Sequence, residues 1–84
     1  MIYLIFTSEG FAEAKGNIIE DQAGLWINDN ILSASQLTEL ETQNIPVTIL
    51  NSQVKPSDEK AIITIVEKIE ELAKSNIEIL VEYS

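Results

Sequence analysis

Phe11-Ala12-Glu13-Ala14-Lys15-Gly16-Asn17-Ile18-Ile19-Glu20-Asp21-Gln22 is the stretch on which the fold turns. Phe11, Ala14 and Ile18 fall at helical spacing, and Phe11 to Lys15 has helix-forming composition. Gly16-Asn17 is equally a turn pair, and Ile18-Ile19 could open a strand. The helical reading, with a break near Gly16, makes every connection in the chain a crossover. The other reading gives a β-hairpin at about 11–27 and a mixed α+β sheet.

The flanks favour the first reading. Ile2 to Phe6 is a continuous apolar run, the pattern of a central strand covered on both faces, and Thr7-Ser8-Glu9-Gly10 ends it with turn chemistry. Leu25-Trp26-Ile27 is a second strand, closed by Asn28-Asp29-Asn30. Ser33 and Gln36 have capping-box spacing, with Leu32 and Leu37 placed to form a hydrophobic staple. Asn44 is a left-handed stop before Ile45-Pro46. Val47 to Leu50 is a third strand.

After Pro56 the spacing predicts the longest helix. Ser57 is its cap candidate, and Asp58 and Glu59 suit the positive end of the helix dipole. Ile62, Ile65, Val66, Ile69, Leu72 and Ala73 form its apolar stripe, and Lys60, Glu67, Lys68, Glu70, Glu71 and Lys74 its solvated face, with a Glu70–Lys74 pair. Ile77, Ile79, Val81 and Tyr83 alternate with Glu78 and Glu82, which suits a strand near a sheet edge. The expectation is therefore α/β: a small single domain over 1–84, a βαβαβαβ-type sheet with helices packed on it.

Isoleucine, leucine, valine and phenylalanine supply 28 of the 84 residues, enough apolar material for a packed core despite a net charge of −9. Cysteine, histidine and arginine are absent from the sequence. That removes disulfides, thiolate or imidazole metal ligands, Cys and His catalysis, and bidentate guanidinium clamps. Fourteen carboxylates face five lysines, Lys15, Lys55, Lys60, Lys68 and Lys74. Direct nucleic-acid binding and docking on anionic lipid both need clustered cations, so neither is expected. The opening Met1 to Phe6 lacks a basic leader and is too short for a signal core or a span, which suggests a cytoplasmic setting.

Parallel strands gather their carboxyl ends at one edge. Here that edge would hold Ser8 and Glu9, then Asn28, Asp29 and Asn30, then Asn51 and Ser52. Those oxygens are the candidate small-ligand or water-mediated Mg²⁺ site, although ordinary loops also follow strands with such residues. No catalytic residue, cofactor or direct metal ligand is assigned. Trp26, Ile63, Ile79, Val81 and Tyr83 are the interface candidates, as a strand tryptophan, an off-stripe isoleucine and an edge strand.

The expected role is non-enzymatic, an interaction or regulatory domain meeting a basic or neutral protein or a second copy as a homodimer. The alternatives are a ligand- or Mg²⁺-binding domain built on Glu9 and Asp29, and an acidic inhibitor or immunity-type protein that imitates nucleic acid.

Overall fold

The computed structural model describes residues 1–74 and 77–83. Its elements run β1 (Ile2–Ile5), α1 (Ser8–Asp21), β2 (Gly24–Ile27), α2 (Ala34–Thr42), β3 (Val47–Ile49), α3 (Glu59–Ala73) and β4 (Ile79–Glu82). The four strands are parallel and lie in the order β3-β2-β1-β4, so the apolar β1 is interior, as its sequence demands. The chain steps outward from β1 through β2 to β3, then returns across the sheet to β4. Right-handed crossovers therefore place α1 and α2 on one face and α3 on the other.

The core divides accordingly. Tyr3, Ile5, Leu25 and Ile27 point to one cluster with Phe11, Ile18 and Leu40. Leu4 and Phe6 point to the other with Leu50, Val54, Ile62 and Ile69. Alternation along each strand sends neighbouring side chains to opposite faces, so β1 needs apolar residues at every position.

The hairpin alternative at 11–27 is overturned. A single helix runs from Ser8 to Asp21 straight through Gly16, which is exposed and has no neighbour within 4 Å of where a Cβ would stand. Thr7 caps it, accepting from the Gly10 amide at 3.0 Å, so Ser8, Glu9 and Gly10 are its first turn, not a preceding loop. It ends at Gln22, whose φ of 52° is left-handed, with Ala23 N–H donating to the Ile18 carbonyl and Gln22 N–H to that of Ile19. This is a Schellman closure, and it sits six residues beyond the glycine that suggested a break.

The other caps follow the sequence with one change. Ser33 and Gln36 complete the capping box, and Asn44 stops α2 at φ 61°. For α3 the cap is Asp58, not Ser57: a turn from Lys55 to Asp58 uses Ser57 one position too early, and the Asp58 carboxylate accepts from the Ala61 amide at 3.2 Å. Leu72, expected on the buried stripe, is 61% exposed. α3 packs over β1 and β4, and its Leu72 flank overhangs a part of the sheet that no helix covers.

Candidate functional site

The carboxyl-end rim exists, because all four strands are parallel, but its members do different work. Ser8 and Glu9 are exposed in the first turn of α1. Asn28 is buried at 2% exposure. Its Nδ2 donates to the carbonyls of Phe6 at 2.8 Å and Val54 at 2.7 Å, while its Oδ1 accepts from Val54 N–H at 2.9 Å. Both amide hydrogens are thereby used, and Asn28 ties the ends of β1 and β2 to the segment that follows β3. Asp29 is exposed, and its Oδ1 accepts from the amide of left-handed Asn30 (3.0 Å) while its carbonyl accepts from Gln53 Nε2 (2.6 Å), a turn held by its own side chain. Asn51 is exposed beyond β3. Among the described residues, no three acidic side chains converge to hold a metal.

Strand order reverses between β1 and β4, the place where open α/β sheets present a ligand crevice. Here the protein fills it itself. A Cβ built on Gly10 would lie 2.9 Å from Glu82 Cγ and 3.2 Å from Thr7 Oγ1, so the Glu82 side chain lies against the first turn of α1. A side chain at Gly10 would press on Glu82 Cγ and Thr7 Oγ1, so these groups would have to shift to admit it.

Among the described residues, two strips of the sheet are left uncovered, one on each face. On the α1 side the open strip is β4. Leu80 is 41% exposed and Tyr83 60%, and a shallow groove of about 360 Å³ runs between β4 and α1 past Tyr3, Glu13, Asn17 and Glu82. The Tyr3 hydroxyl reaches toward Asp21 Oδ2 at 3.5 Å, and burial, then the Asp21 carboxylate, then Glu78 raise its pKa above the ordinary tyrosine value. β4 is an edge strand, and no described strand pairs with its outer side. In the parallel register Ile2 bonds to Glu78 and Leu80, as the Ile2 N–H to Glu78 carbonyl bond of 2.9 Å marks. The N–H and C=O groups of Ile79 and Val81 therefore face away from the sheet, while their side chains lean on the α3 cluster.

On the α3 side the open strip lies over β2 and β3. A trough of about 370 Å³ has Trp26 and Thr48 as its floor. Ile65, Lys68 and Leu72 of α3 form one wall, and Leu50 and Val54 close one end. Asn51 and Ser52 stand at that end as well. Trp26 is half-buried here, and Ile63, at 57% exposure, lies outside both grooves. Among the described residues the ion pair present is Lys15–Glu39, joining α1 to α2, so the expected Glu70–Lys74 pair does not form and Lys68 has no carboxylate within salt-bridge distance.

The sequence groups Glu82 and the carboxylates near residues 9 to 21 as acidic surface, but nothing in the linear order brings Glu82 beside Glu13 or sets Lys68 over a trough. Their places depend on strand order and on which side of α3 overhangs the sheet. Of the trough's lining, the sequence singles out Trp26, Asn51 and Ser52, but not Leu72 and Lys68 side by side on one flank of α3.

No family model, curated protein or solved structure matches the chain, so the site's chemistry alone bears on function. No described helix is long and apolar enough to cross a membrane.

Proposed function

We propose that this chain is a small, non-enzymatic interaction domain of the cytoplasm that docks a basic or neutral protein segment along β4. One observation carries the reading: an edge strand with outward backbone groups at Ile79 and Val81 and exposed Leu80 and Tyr83 lies among Glu13, Glu78 and Glu82. An extended segment adding to such an edge gains main-chain hydrogen bonds, and alternate side chains give selectivity. Lysine or arginine on that segment would meet the carboxylates, which also speed encounter.

A second copy suits this edge less well. Because Ile79 and Val81 face outward, centred antiparallel self-pairing sets Ile79 opposite Val81 and Glu78 of one copy against Glu82 of the other. Like charges directly opposite destabilise a sheet.

The test places a benzophenone cross-linker at Leu80 or at Ile49 in cells that make the protein. A basic protein should be captured from position 80, and Glu13→Lys with Glu78→Lys should remove the adduct. Capture equally from position 49, or capture that survives charge reversal, would contradict the reading. Absence of any adduct at position 80 would also overturn it, leaving the carboxylates as guards of an unpaired edge.

A further inference from the structure

We infer that the trough beside α3 is a binding site for a small organic monocarboxylate, an aliphatic or aromatic body with one carboxylate head. This site is separate from the β4 edge and does not depend on it. Its volume of about 370 Å³ falls within the range of small-molecule sites, roughly 300–1,000 Å³. Its composition is also of that kind, with apolar surfaces along most of its length and a few polar groups at defined points.

The apolar body has a place. Trp26 offers an indole surface on the floor, and Ile65 and Leu72 face it from α3. Leu72 is 61% exposed, so covering it removes apolar area from water without any rearrangement of the core. The head group has a place too. Lys68 is the cation in the trough lining, and among the described residues it has no ion-pair partner. Asn51 and Ser52 stand in the same lining, and among the described residues their side chains hold no hydrogen bond.

Charge selects the head. One ammonium balances one carboxylate. A phosphate carries nearly two charges and would leave one uncompensated on a protein of net charge −9. A cationic head would face Lys68 directly. A neutral chain would gain the apolar contact but leave the lysine as it is. The walls are rigid enough for selectivity at one end, since the Asn28 amide holds Val54 on both its N–H and its carbonyl.

Trp26 is the chain's single tryptophan, so its fluorescence reports occupancy directly. The experiment titrates the whole protein with decanoate, below its micelle concentration, and with decanamide, its neutral isostere. Decanoate should give a saturable change and bind at least tenfold more tightly than decanamide. Lys68→Met should remove that tenfold preference while decanamide binding stays. Leu72→Asp should weaken both ligands. Both side chains are exposed, so the variants should keep the wild-type circular dichroism and thermal midpoint, which are measured alongside.

The inference fails if decanoate gives no saturable change with the wild-type protein. It fails equally if decanoate and decanamide bind alike, or if Lys68→Met leaves decanoate affinity unchanged. None of these results touches cross-linking at Leu80, so the two readings stand or fall apart.

Discussion

The strip along β4 and the strip over β2 and β3 are both places where three helices run out before the sheet does, yet their chemistry is opposed. Around β4 the side chains are Glu13, Glu78 and Glu82, and the backbone groups of the edge are the reactive feature. Over β2 and β3 the side chains are Trp26, Ile65 and Leu72 with Lys68, and the feature is a trough. The cause is topological. A chain that builds β1, β2, β3 and then returns to β4 puts two helices on one face and one on the other. Each face is thereby short of cover at the opposite edge. A protein with nine surplus negative charges keeps one of these edges acidic and the other not.

The contrast breaks most easily at Asn28. Asn28→Ala leaves the Val54 N–H without its acceptor and the carbonyls of Phe6 and Val54 without donors, inside the protein. Stability should fall by about 3 kcal/mol in urea unfolding. Amide exchange at Val54 should accelerate beyond that at Ile2 and Leu4, because the Val54 N–H loses its own acceptor while the Ile2 N–H keeps its bond to Glu78. Equal acceleration everywhere would mean that Asn28 supports the whole sheet.

Next in size is the difference between Trp26→Ala and Leu80→Ala. Trp26 is half-buried against the α3 cluster, so its truncation should cost about 2 kcal/mol, below the loss for a fully buried tryptophan. Leu80 is 41% exposed, and its truncation should cost about 1 kcal/mol or less. Thermal midpoints of the two variants decide this, and similar losses would show the strips to be equally structural.

Gly10→Ala should destabilise by about 1 kcal/mol, since overpacking against Glu82 and Thr7 outweighs the helix propensity gained. NMR shifts should concentrate at Thr7 and Glu82, with Trp26 fluorescence unchanged. A stabilised Gly10→Ala variant would show that Glu82 is free to step aside.

The smallest effect concerns Tyr3. Burial and Asp21 keep its proton on more firmly in the folded state than in the unfolded one. A raised folded pKa means that the unfolded chain releases this proton first, so stability falls as pH rises past the ordinary tyrosine value of 10.0. Tyr3→Phe should change neutral-pH stability by less than about 0.5 kcal/mol, the hydrogen bond being long, and should flatten the decline above pH 10.0. Parallel alkaline unfolding curves for the two proteins would remove Tyr3 from the account.

Much of the fold is legible in the order of residues. The apolar run of β1, the Ser33–Gln36 box, the Asn44 stop and the stripe of α3 are local patterns, and local physics decides them. The stretch 11–22 reads two ways because Gly16-Asn17 carries real turn propensity. Only the packing of Ile18 beside Phe11 and Ala14 on one core face carries the helix across it. Of the rim residues, Asn28 is indistinguishable from Asp29 and Asn51 by pattern. Burial separates it, and burial is a property of neighbours brought from residues 6 and 54.

Composition and short-range periodicity suffice to specify an acidic α/β domain without imidazole, thiol or guanidinium chemistry, because they set charge and element type directly. That β4 returns to the side of β1 is a matter of long-range packing. This single placement seats Glu82 on Gly10, leaves an acidic edge on one face, and opens the Lys68 trough on the other, since no local pattern encodes which strands become neighbours.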